Sequence, residues 1–114
     1  MVEKRDNTSM AVVPSVFFNQ GRIAQGLATA TNTLAPDVVH IRFNLGEDWS
    51  GARAVFFRVL LRDKASELPQ LREVSRRVRG TVFKEVQPDE LGLEAYFNFR
   101  SESEQAEMKE QAWA

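Results

Sequence analysis

Residues Ala52–Asp63 read A-R-A-V-F-F-R-V-L-L-R-D, and this stretch decides the fold. Val55, Phe57, Val59 and Leu61 fall on one face of an extended chain, and Ala54, Phe56, Arg58, Leu60 and Arg62 on the other. That two-residue period is the signature of a β-strand with one wall in the core. The second face is only half apolar and carries two guanidinium groups, so the rest of the chain has to supply strands to pair, a helix to cover the apolar wall, and an occupant or a role for the arginine face.

Two further strands are legible on the same grounds. Val38–Leu45 places Val39, Ile41, Phe43 and Leu45 opposite His40, Arg42 and Asn44, and Leu93–Arg100 places Leu93, Ala95, Phe97 and Phe99 opposite Glu94, Tyr96, Asn98 and Arg100. Gly46–Gly51 is bracketed by glycines and reads as the loop of a hairpin joining the first two strands. Between the second and third strands, Leu68, Leu71, Val74, Val78, Val82 and Val86 keep a helical spacing over Asp63–Val86. Pro69 belongs in the first turn of that helix, which places its start near Ser66, and Gly80-Thr81 is a weak point inside it. Pro88–Gly92 reads as a turn.

Upstream, Val13, Val16, Phe17, Gln20, Ile23, Ala24, Leu27, Ala30 and Leu34 mark an amphipathic helix closed by Pro36, its polar face uncharged apart from Arg22. Gly21 and Gly26 weaken it, so it needs a surface to lie against: the sheet, or a second copy of itself. Downstream, Ser101-Glu-Ser-Glu104 has capping-box spacing and opens a short acidic helix through Gln111, ending in Ala112-Trp113-Ala114. The expectation is a two-layer α+β domain over residues 13–114, after a flexible lead-in at 1–12, with a β-β-α-β core. A hairpin followed by a parallel crossover allows the strand order 2-1-3, with Val38–Leu45 in the middle.

A chain of 114 residues suits one domain with one core. Cysteine is absent, which removes disulfides, thiolate nucleophiles and cysteine metal sites together. With no apolar run behind Met1–Ser9 to make a secretory signal, and none long enough to span a bilayer, a cytoplasmic protein is expected. The net charge of −1 hides a segregation: Arg53–Lys84 carries nine basic residues against three acidic, and Glu85–Ala114 eight acidic against two basic. Such a chain either folds its acidic tail over its basic middle or shows the two to different partners.

The three polar strand faces gather His40, Arg42, Phe56, Arg58, Arg62, Tyr96, Asn98 and Arg100, together with Asn44, on the sheet side away from the second helix. Arginine beside aromatic groups suits an anionic ligand, or a nucleic-acid base held with its phosphate. It equally suits a face covered by the first helix or by a second subunit, with the arginines paired to Glu94 or to acids of the C-terminal helix. His40 is the only histidine, so without cysteines a zinc site would need several carboxylates brought near it, and no motif marks a serine or carboxylate partner for it as a general base. Glu47 and Asp48 are adjacent and point apart, giving at most a weak cation hint. No glycine pattern supports a nucleotide cofactor, and the basic run at Arg72, Arg76, Arg77 and Arg79 marks a solvated helix face. No metal and no cofactor is expected.

Gly46-Glu-Asp-Trp-Ser-Gly51, Phe56-Phe-Arg-Val-Leu-Leu-Arg-Asp63, Tyr96-Phe-Asn-Phe-Arg-Ser-Glu-Ser-Glu-Gln105 and the closing Ala112-Trp113-Ala114 resemble a recurring pattern in short bacterial proteins of unassigned function. The resemblance runs from Val38 onward. It implies a bacterial origin and a compact α+β domain, and it implies no activity. The residues therefore point first to a non-enzymatic protein-interaction or regulatory accessory module that binds another protein or a second copy of itself as a homodimer. The second expectation is a single-stranded nucleic-acid or phosphate-ligand binder using the arginine face, and the third a small enzyme using His40 with Glu47 or Asp48.

Overall fold

The computed structural model describes residues 12–114, with side chains described from Asn19 onward. The lead-in expected at 1–12, up to Ala11, and the side chains of Val13, Val16 and Phe17 lie outside what is described. The elements are α1 (Val12–Leu34), β1 (Val38–Glu47), β2 (Arg53–Leu61), α2 (Gln70–Val86), β3 (Glu94–Ser101) and α3 (Glu102–Met108), with single 3-10 turns at Asp63–Ser66, Pro88–Leu91 and Gln111–Trp113. The fold is α+β, as expected.

β1 pairs antiparallel with β2, and β2 pairs parallel with β3. The strand order is β1-β2-β3, not 2-1-3. β2 takes the centre because it is the strand with apolar side chains on both faces: Val55, Phe57, Val59 and Leu61 are fully buried on one, and Ala54 and Leu60 are buried on the other. β1, whose second face carries His40, Arg42 and Asn44, sits at an edge where those groups keep access to water. A β-bulge between Val38 and His40 pushes Val39 outward and gives its core place to Val38.

Both long helices lie over the same face. Val74, Val78, Val82 and Val86 of α2 and Ile23, Leu27, Ala30 and Leu34 of α1 share one core with Phe57, Val55, Val59 and Leu61. α1 therefore does not cover the arginine face; it lies against α2 and the β1 side of the core. Gly26 makes the crossing close, since a Cβ there would stand 2.7 Å from the Glu85 carbonyl oxygen and 2.9 Å from Val86 Cγ2. Arg22, the one charged residue of α1, donates from Nη2 to Gln87 Oε1 at 2.6 Å and ties the helix to the end of α2.

α2 begins after Pro69 and runs without interruption through Gly80 to Val86, where Gln87 in the left-handed region (φ 55°) closes it. α3 has the expected capping box: the Ser101 hydroxyl accepts from Glu104 N–H, and the Glu104 carboxylate accepts from Ser101 N–H. It stops at Met108 rather than Gln111, because Lys109 turns left-handed (φ 54°) and sends the remaining chain back over the sheet. Asp63 anchors the start of α3, accepting from Ser103 N–H at 3.0 Å and from the Ser103 hydroxyl at 2.5 Å.

Two glycines of α1 separate packing from propensity. Gly26→Ala forces backbone or Val86 to move and is expected to lower stability by about 1–3 kcal/mol despite the better helix former. Gly21→Ala meets nothing within 4 Å and is expected to raise stability by up to about 1 kcal/mol. Urea unfolding of both variants against the parent chain checks the pair, and equal shifts would contradict the close crossing.

Candidate functional site

Register lays the second face of the sheet out in rows. His40, Leu60 and Arg100 form one row; Arg42, Arg58 and Asn98 the next; Asn44, Phe56 and Tyr96 the third; and Gly46, Ala54 and Glu94 the fourth. Rows are separated by two residues, roughly 7 Å along the strands. Seven of the eight residues expected on this face are brought together. Arg62 is the exception: β2 ends at Leu61, and Arg62 Nε donates to the Pro36 carbonyl at 2.6 Å, at the end of the sheet.

The first two rows are occupied by the chain's own C-terminal segment. Arg58 Nε donates to the Ala112 carbonyl at 2.7 Å, His40 Nε2 lies 2.9 Å from the Trp113 carbonyl, and Arg42 Nε donates to the Ala114 carbonyl at 2.8 Å. Three consecutive carbonyls thus meet three different side chains of β1 and β2. A carbonyl only accepts, so the His40 proton sits on Nε2. The Arg100 guanidinium lies over the Trp113 ring, 4.4 Å from its centroid, while Nη1 reaches Gln105 Oε1 at 3.0 Å and Glu110 Oε1 at 2.7 Å. Gln105 Nε2 donates to the Glu110 carbonyl at 2.8 Å, which fixes the segment where it leaves α3.

Trp113 is 8% exposed and Leu60 7%. Leu60 sits between His40, which meets the Trp113 carbonyl, and Arg100, which meets its ring, so both buried groups belong to this one row. Arg58 also donates from Nη1 to Asn44 Oδ1 on the neighbouring strand.

The third row is aromatic. Phe56 and Tyr96 stack with centroids 5.4 Å apart and 18° between planes, and Trp49 meets Tyr96 edge-on at 5.6 Å and 60°. Tyr96 donates its hydroxyl to Asp48 Oδ2 at 2.7 Å. Asp48 Oδ1 accepts from Ser50 N–H, Ser50 hydroxyl and Ala52 N–H, so one carboxylate builds the β1–β2 turn. The Ser50 hydroxyl first, and then Tyr96, hold the Asp48 carboxyl down to about 2; Asp48 in turn pushes the Tyr96 phenol up to about 12. Burial lowers the His40 pKa from 6.5, its bond to the Trp113 carbonyl raises it in part, and Arg42 lowers it.

The sequence places Asp48 in a site only as a weak cation ligand or a partner of His40, and it does not bring Trp113, Gln105, Glu110 or Trp49 to the arginine face. The acidic tail had been considered as a partner for the arginines through its carboxylates, but main-chain carbonyls make most of the contacts. The one readable signal was an isolated Trp between alanines after an acidic helix, since a large ring there has to find a surface. Among the described residues no three metal-ligating side chains gather, and no helix is long and apolar enough to cross a membrane. No protein-family model matches the chain, and no curated protein matches it.

Tyr96 is the only tyrosine, so absorbance titration reads it alone. Its midpoint is expected near 12, and Asp48→Asn is expected to bring it down toward the ordinary 10. His40 adds a second pH signature. Because its folded-state pKa is depressed, its contribution to stability is present above 6.5 and lost as pH falls below that value. Urea midpoints between neutral and mildly acid pH should fall for the parent chain and flatten for His40→Gln.

Proposed function

We propose that this chain is a non-enzymatic protein-interaction module, whose basic sheet face receives a short length of peptide main chain, and that its own C-terminal segment holds that place in the isolated molecule. The observation that carries the reading is the set of bonds from Arg58, His40 and Arg42 to the carbonyls of Ala112, Trp113 and Ala114. Donors fixed on neighbouring strands and aimed at consecutive carbonyls recognise a backbone whatever its side chains are. Specificity then falls to the indole, which is buried and meets the Arg100 guanidinium.

Magnitudes agree with that division. Burying an indole removes on the order of 200 Å² from water, about 4–5 kcal/mol as an upper figure. Each bond from a half-exposed guanidinium to a carbonyl adds about 1 kcal/mol. Trp113 is therefore the anchor, and the three bonds set direction and register. The one histidine is committed to the Trp113 carbonyl.

The test uses a fluorescent peptide with the sequence of Glu110–Ala114 and a chain shortened at Lys109. The shortened chain is expected to bind the peptide at least about tenfold more tightly than the intact chain, whose site is filled, and Arg58→Ala in the shortened chain to lose about tenfold again. Trp113→Ala in the full-length chain should open the site in the same way. No binding by either altered chain overturns the reading. Preferential capture of a single-stranded oligonucleotide, falling steeply with salt, would replace it with the nucleic-acid alternative.

A further inference from the structure

We propose that the aromatic row next to the peptide site, Trp49, Tyr96 and Phe56 rimmed by the carboxylates of Asp48 and Glu94, binds the guanidinium of an arginine side chain carried by a partner protein. The site lies one row beyond the one the C-terminal segment fills and remains open while that segment is seated, so it stands independently of the reading above.

Trp49 is 86% exposed. A ring so little buried contributes little to the core, yet it is held in place. It sits edge-on against Tyr96, Tyr96 stacks on Phe56, and Asp48 pins both the phenol and the turn that carries the indole. Position without burial is what a prepared contact surface needs, because the ordering cost is met before a ligand arrives.

The charge around these rings selects the ligand. Asp48 is ionised across the physiological range, Glu94 stands exposed in the adjoining row, and both act on the Tyr96 hydroxyl. A phosphate stacked here would face two carboxylates, whereas a cation is attracted by the carboxylates and by the ring faces alike. Elsewhere the chain supplies such a cation itself: Arg100 lies over Trp113, and Arg79 lies 5.3 Å from the Phe97 centroid and 5.6 Å from that of Phe99. Among the described residues, no arginine or lysine of this chain is placed over Trp49, Tyr96 or Phe56. Arg58, one row away, is committed to Ala112 and Asn44. Guanidinium fits better than ammonium, since its plane can lie on an indole while its edge donates to a carboxylate.

The experiment titrates the intact chain with a capped Gly-Arg-Gly tripeptide and with the same tripeptide carrying citrulline, which keeps the shape and removes the charge. The indole N–H signals of Trp49 and Trp113 are followed by NMR and assigned with Trp49→Ala. Saturable movement of the Trp49 signal alone is expected, with the citrulline peptide at least about tenfold weaker. Glu94→Gln should weaken the arginine peptide about threefold, and Trp49→Ala should abolish its binding by calorimetry while leaving the melting temperature in place. Equal response to the two peptides, or none to either, overturns the proposal. So does tighter, salt-steep binding of an oligothymidine at the Trp49 signal, which would make the row a base-stacking surface. Because the C-terminal segment is left seated throughout, failure here does not touch the peptide site, and failure of the peptide site does not touch this result.

Discussion

β2 has to be covered on both faces, and most of this molecule follows from how the two covers differ. One face buries Val55, Phe57, Val59 and Leu61 under two helices whose apolar stripes supply valine, leucine and isoleucine in quantity. The other buries Ala54 and Leu60, with too little apolar area around them to hold a helix. At the Leu60 end of that face the indole of Trp113 is buried, held by contacts to the strands on either side. The helical cover is extensive and apolar and is part of folding. The indole cover is small and is held by polar contacts rather than by a wide apolar surface.

The segregation of charge along the chain is resolved in an unexpected way. A basic middle and an acidic tail suggest ion pairing, yet of the acids in α3 and after it, Glu110 is the one that meets an arginine of the sheet face. Glu102, Glu104 and Glu107 stay exposed, with Glu104 closing its own helix cap. The arginines spend their donors on carbonyl oxygens and their flat faces on aromatic rings. That choice makes sense where donors are fixed on strands. The Ala112 and Trp113 carbonyls have the spacing of a backbone and are neutral, so they can sit close to Arg58 and His40 without the desolvation cost of burying full charges. Surface ion pairs such as Arg76–Glu73 and Arg77–Asp37 occur on the helical side, where they contribute little and decide little.

What could be read in the sequence was local, and what could not was relational. Alternation gave the strand faces, the four-residue valine spacing gave the buried stripe of α2, and Ser101 with Glu104 gave the cap of α3. The order of the strands depends on which one must be buried twice, a comparison between strands; the apolar content of the second face of β2 against His40, Arg42 and Asn44 of β1 held the answer. The placement of α1 turned on Gly26, which looked like a weakness of the helix and is the point where it meets the end of α2. The extra residue at Val39 shifts which valine enters the core, and alternation carries no mark of a bulge. Alternation places the aromatic and arginine residues of the face side by side, Arg62 excepted, but it says nothing of what lies over them, because a main-chain carbonyl has no sequence signature.

The face therefore carries two chemistries one row apart, and their order along the strands is informative. Toward the C-terminal end of β2, cationic donors meet main-chain oxygens and one large ring. Toward the hairpin, large rings stand among carboxylates and, among the described residues, no cation of the chain lies over them. A nucleic-acid strand would be served by interleaving the two, so that each stacked base had a guanidinium for its phosphate. Here the carboxylates are placed beside the free rings and the guanidinium groups beside the filled ones. A polypeptide suits that division better, since a single extended segment can present carbonyls at one point and a basic side chain roughly 7 Å further on. The separation of like functions into adjacent rows is thus the physical reason to read this sheet as a surface for proteins.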